Sequence, residues 1–137
     1  MSASRRQLAQ LRPLVPLFVV ATLGVDLVVL AGDSLRSLAL GPGHRFGTAA
    51  PGEHGRAVVT GDRERHFGFL AHLASGTPID VQGARGGWQR YRVTARAVLE
   101  KSALRVLGEP RVPELTLVTS QVEAGRLRLA VHARCAG

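Results

Sequence analysis

Short runs dominated by apolar and β-branched residues recur along the chain, set apart by glycine or proline signals. They are "LFVVAT", "VDLVVL", "RAVVTG", "PIDVQ", "YRVTARAVLE", "LTLVT" and "LRLAVHA". Length and composition predict a strand for each. Two stretches read as short helices instead: "DSLRSLAL", with Asp33 or Ser34 placed to cap it, and "HFGFLAHLAS". No internal repeat or low-complexity tract is present. At 137 residues, with 45% apolar positions, the chain suits one domain with a real core. Sixteen glycines and seven prolines, scattered rather than clustered, supply the turns such a chain needs. The pattern predicts a small, mostly β barrel or sandwich with one or two short helices.

The first two runs also admit a different reading. Residues 14–31, "LVPLFVVATLGVDLVVLA", carry a single charge, Asp26, and follow Arg5, Arg6 and Arg12. That is the layout of a membrane span with a cytoplasmic N-terminus. Against it, an aspartate near the middle of a span costs about 2.5–3.5 kcal/mol. Pro16, Gly24 and the many valines favour two strands joined near Leu23-Gly24. Local sequence leaves both open.

The formal charge is +8, and seventeen of the eighteen basic residues are arginines spread over the whole chain. Apart from Arg5-Arg6 they form no cluster, and aromatics for base stacking are few, which argues against a nucleic-acid partner. One cysteine, Cys135, excludes an intrachain disulfide and a CxxC metal site. His44, His54, His66, His72 and His132 show neither HxH nor HExxH spacing, so no metal and no cofactor is expected.

Several segments, in order, resemble the sortases, and most strongly the small sortases of Gram-negative bacteria. They are "LGVDLVVLAG", Gly41-Pro42-Gly43-His44, the turn "GTAAPGE" at 47–53, and Val58-Val59-Thr60-Gly61-Asp62-Arg63. His66-Phe67 and Phe69-Leu70 follow at the family's spacing, then Tyr91-Arg92-Val93 and Thr116-Leu117-Val118-Thr119. The resemblance covers about residues 23–133. It implies a closed β-barrel with one or two short helices over residues 17–137, after a basic and apolar segment at 1–16. It assigns "LGVDLVVLAG" to barrel strands. It also implies a cell-envelope protein whose partner is a sorting-signal peptide of the LPxTG kind. About twenty residues precede Leu23, short for a spanning helix plus linker, so the usual anchor is expected to be missing. "RRQLAQLR" offers contact with an anionic membrane surface instead.

Sortases are cysteine transpeptidases. A thiolate attacks the Thr–Gly carbonyl, a histidine protonates the leaving amine, and an arginine steadies the oxyanion or substrate. The resemblance places the cysteine at Ser120, the histidine at Asp62 and the arginine at Arg128, with His66 and Thr119 beside the groove. A serine hydroxyl needs a general base, and a carboxylate with an ordinary pKa near 3.9 is a poor one. The same carboxylate is a poor proton donor to an amine. Gln121-Val122-Glu123 replace the aromatic and proline that usually follow the nucleophile, and the segment from Ser120 to Arg128 is shorter than the family's. The expectation is a pseudoenzyme that still binds peptide. The alternative is an active enzyme using Ser120 with a rearranged base, His66 oriented by Asp62. A structural or accessory role beside a true sortase is the third.

Overall fold

The computed structural model describes residues 16–32, 34–63, 65–83, 86–100, 110–119 and 127–135. Eight strands account for most of them: β1 (Pro16–Thr22), β2 (Val25–Ala31), β3 (Gly43–His44), β4 (Arg56–Gly61), β5 (Pro78–Gln82), β6 (Trp88–Glu100), β7 (Glu114–Thr119) and β8 (Leu127–Cys135). One short helix, α1 (Leu35–Leu40), lies between β2 and β3, and a 3₁₀ turn (Gly68–His72) lies between β4 and β5. The strands close into a barrel in the order β1-β2-β3-β4-β7-β8-β6-β5. Closure gives each strand a partner on both sides for at least part of its length, which suits a β protein of this size.

The ambiguous apolar segment is resolved into strands. From Pro16 it forms β1 and β2, paired through Thr22↔Val25 around a two-residue turn. Both turn residues have positive φ, Leu23 at 50° and Gly24 at 74°. This is the turn whose twist matches antiparallel strands. Among the described residues no helix is long and apolar enough to cross a membrane.

Alternation along the strands fills the interior. Val20, Leu27, Val29, Ala57, Val59, Ile79, Val81, Tyr91, Val93, Leu115, Leu117, Val131 and Ala133 form one buried cluster, closed by Phe67, Leu70 and Leu73. These last three are spaced by three residues, the repeat of a 3₁₀ helix. That spacing explains why "HFGFLAHLAS" makes a five-residue 3₁₀ turn rather than an α-helix. Tyr91 is fully buried, and its hydroxyl accepts the Gly52 N–H at 2.6 Å, tying the connection before β4 to β6.

Most pairs are antiparallel, but β2–β3 and β4–β7 are parallel. The second of these matters most for the site. Gly61 pairs with Thr119, so β4 and β7 finish side by side at the same end of the barrel. β8 returns antiparallel to β7 through pairs such as Val118↔Ala130, bringing its first residues to that end as well.

Candidate functional site

Asp62 follows Gly61 directly and so leaves β4 beside the end of β7. Its carbonyl accepts the N–H groups of Arg65, His66 and Phe67 at 3.1, 3.0 and 2.9 Å, folding residues 62–67 into a tight turn. Its carboxylate lies 3.5 Å from the Arg65 guanidinium, and both side chains reach solvent. His66 belongs to the same turn and is half-buried. Phe67 closes the turn from inside the barrel, its ring edge-on to Phe69 with centroids 5.8 Å apart.

Arg128 is half-buried near the start of β8, paired with Leu99 of β6. β4 and β8 are the two neighbours of β7. Strand spacing therefore puts Asp62 and Arg128 roughly 10 Å apart across the end of β7. Thr119, the last residue of β7, is buried, and its Oγ1 accepts the Leu129 N–H at 3.0 Å, which pins β8 to β7 beneath the site. Ser120, Gln121, Val122 and Glu123 lie outside the described residues. The fold thus brings Asp62, Arg128, His66 and Thr119 to one end of the barrel, with the chain leaving Thr119 toward Ser120.

The loop motifs have structural jobs. The His44 Nε2–H donates to the Ala49 carbonyl at 2.8 Å, with Thr48 Oγ1 3.1 Å away. The Thr48 hydroxyl donates to the Arg45 carbonyl at 2.8 Å and accepts the Val58 N–H at 3.2 Å. "GPGH" and the following turn are therefore locked onto β4.

One polar cluster was not foreseen. Arg56, Glu114, Thr116 and His132 meet on the outward faces of β4, β7 and β8. Glu114 Oε1 is 3.5 Å from Arg56 Nε and 3.8 Å from His132 Nδ1, and Thr116 Oγ1 shares a 2.9 Å hydrogen bond with that nitrogen. Burial pushes the His132 pKa below its ordinary value; Glu114 opposes the shift and Arg56 adds to it. The cluster sits toward the starts of β4 and β7, away from Asp62. Among the described residues no group of His, Cys, Asp or Glu could hold a metal ion.

A closed eight-stranded barrel with its candidate site where two parallel strands end side by side describes a known architectural class, and comparison with known proteins identifies it. A sortase-domain family profile matches residues 18–136. The chain belongs to the sortase family. Among solved structures it is similar to the sortase D5 transpeptidase of Clostridium perfringens, with a TM-score of 0.79, 24% identity, and coverage of 98% of this chain and 90% of that one. It is similar to sortase A of Corynebacterium diphtheriae at a TM-score of 0.80 and 24% identity, covering 100% and 73%. A sortase E variant from Streptomyces avermitilis superposes at a TM-score of 0.73 with 26% identity, covering 89% and 88%. Comparison with curated proteins gave no match.

Proposed function

We infer that this protein keeps the sortase barrel as a binder of extended sorting-signal peptides and has lost the family's transpeptidation. The observation that carries this reading is Asp62. The residue that leaves β4 beside the end of β7 is an aspartate engaged by Arg65, where the family resemblance asks for a histidine. A carboxylate neither activates a serine hydroxyl well nor protonates a leaving amine. Ser120 at the cysteine position removes the thiolate as well. Arg128 remains, half-buried, as the group that would hold a substrate carbonyl.

The same end of the barrel offers room for a peptide. β5 pairs only with residues 88–92 of β6, whereas β8 pairs with β6 as far as Glu100. Among the described residues the outer part of β6 therefore has a strand on one side only. Val98 of β6, 63% exposed, stands there, and Leu127 of the neighbouring β8, 57% exposed, lies on the same face at that end. Such an edge supports addition of an extended chain, with apolar side chains choosing its partner residues.

Sortases are generally associated with the cell envelope, and this chain is assigned there on family grounds. It is grouped with the small Gram-negative sortases on the motifs quoted above. Residues 17–137 are taken as the barrel domain and 1–16 as its basic, apolar lead.

The test pairs peptide binding, read by fluorescence anisotropy of a labelled LPxTG-type peptide, with cleavage and amine-transfer assays. The expected result is binding without turnover, and turnover appearing in the Asp62→His, Ser120→Cys double variant. Turnover by the unaltered protein that Ser120→Ala abolishes would establish the serine enzyme instead. Absence of peptide binding would leave a structural role.

A further inference from the structure

Strand direction sorts the barrel into two ends. β1, β4, β6 and β7 run one way, and β2, β3, β5 and β8 the other. The candidate site lies where β4 and β7 finish. At the opposite end the chain enters at Pro16, and there too lie the β3–β4 connection, the β5–β6 hairpin and the residues leading into β7. Among the described residues, the two aromatic side chains with the greatest exposure belong to this entry end. Phe46, in the β3–β4 connection, is 77% exposed, and Trp88, at the foot of the hairpin, is 55% exposed. Val112, just before β7, is 40% exposed.

Trp88 is firmly placed. In the hairpin the Gly83 N–H donates to the Gly87 carbonyl at 3.0 Å and the Gly86 N–H to the Gly83 carbonyl at 2.9 Å. The Gln82 side-chain amide donates to the Gly86 carbonyl at 3.2 Å. Gln82 itself pairs with Trp88 on one side and Val19 on the other, so the chain enters the barrel next to this hairpin. The sequence before that entry carries Arg5, Arg6 and Arg12. Among the described residues of the three connections, Arg45 and Arg111 are cationic and Glu53 alone is anionic.

We propose that this end of the barrel docks on a bilayer surface bearing anionic headgroups. Trp88 and Phe46 enter the headgroup layer, and Arg45 and Arg111 meet the phosphates. An indole suits that layer because it joins a broad apolar body to one N–H donor. Basic side chains near an anionic leaflet add attraction within a Debye length. Docked this way, the protein turns its candidate site away from the bilayer.

Trp88 is the only tryptophan in the chain, so intrinsic fluorescence reports this position alone. The experiment mixes the full chain with phosphatidylcholine vesicles, with and without phosphatidylglycerol, and follows both cosedimentation and emission. The expected result is cosedimentation and a blue shift on phosphatidylglycerol-containing vesicles, with quenching by brominated acyl chains. Arg111→Glu should weaken binding by roughly fivefold or more at low salt. Phe46→Ser should weaken it without lowering the unfolding temperature. Cosedimentation with unchanged Trp88 emission would mean that the lead alone binds, and would overturn the proposal. So would no cosedimentation, or an equal shift on phosphatidylcholine alone. A blue shift that grows with protein concentration in the absence of vesicles would identify a second copy of the chain as the occupant and overturn it too.

Discussion

Gly61→Ala is a severe change for a single methyl group. A Cβ at Gly61 would lie 2.5 Å from both Cγ and Cδ2 of Phe67 and 2.8 Å from Cδ1. Carbon atoms prefer about 3.5–4.0 Å, so the overlap is about 1 Å. The ring cannot escape by spinning, because Cγ lies on the axis of that rotation. Phe67 is also buried and held edge-on to Phe69. The strain must therefore move the backbone of residues 62–67, where three N–H groups share the Asp62 carbonyl. Overpacking of this kind costs about 1–3 kcal/mol, and the absence of a flexible tip places it in the upper half, about 2–3 kcal/mol. For a chain of this size that lowers Tm by about 6–15 °C. Calorimetry measures the shift, and a cycle with Phe67→Leu identifies its cause. Removing ring atoms should restore at least about 1 kcal/mol to the Gly61→Ala variant beyond what additivity gives. A Gly61→Ala protein within about 0.5 kcal/mol of the original, or strictly additive effects, would refute the packing argument.

Leu23 is the only described non-glycine residue with positive φ, and it is 56% exposed. Leu23→Asn should raise stability by about 0.5–1 kcal/mol, seen as a higher urea midpoint, because asparagine tolerates this conformation and little burial is lost. An unchanged or lower midpoint would count against it. His132 should make the fold acid-sensitive. Its folded pKa lies below the ordinary 6.5, so as pH falls through about 6.5 the unfolded chain takes the proton first. The stability present above that pH is then lost until the folded pKa is passed, at no more than about 1.4 kcal/mol per pH unit. Urea midpoints from pH 7.5 down should fall less steeply in His132→Gln (a pH span chosen to clear the carboxylates near 4). Equal slopes would show that Glu114 cancels the effect of burial, and a shallower slope in the original protein that it outweighs it.

Strand-forming runs were legible because each carries its own period and its own punctuation. "PIDVQ" became β5 and "RAVVTG" became β4 residue for residue. The two-residue β3 was not legible: Gly43 and His44 are a strand only because Leu30 and Thr60 lie on either side. The cluster around His132 escaped for the same reason. Glu114, Thr116 and His132 alternate outward along their strands, but only the register Thr116↔His132 reveals that they meet. At the candidate site, the resemblance singled out Asp62 and Arg128, and the fold brings both to one end of the barrel. The reason Gly61 must be glycine was not legible, since Phe67 reaches it by a turn that no local pattern announces.

The parallel pairing of β4 with β7 has a consequence for how the barrel is made. Arg56 waits for Glu114, and the last strand, β8, is the one inserted between β7 and β6. A growing chain that stops short of β8 holds two raw edges, one on β7 and one on β6, each ready to pair with a neighbour. Contacts this distant in sequence also close slowly. The barrel closes only when the nine-residue β8 is in place, and a chain without that strand presents the edges from which aggregation starts.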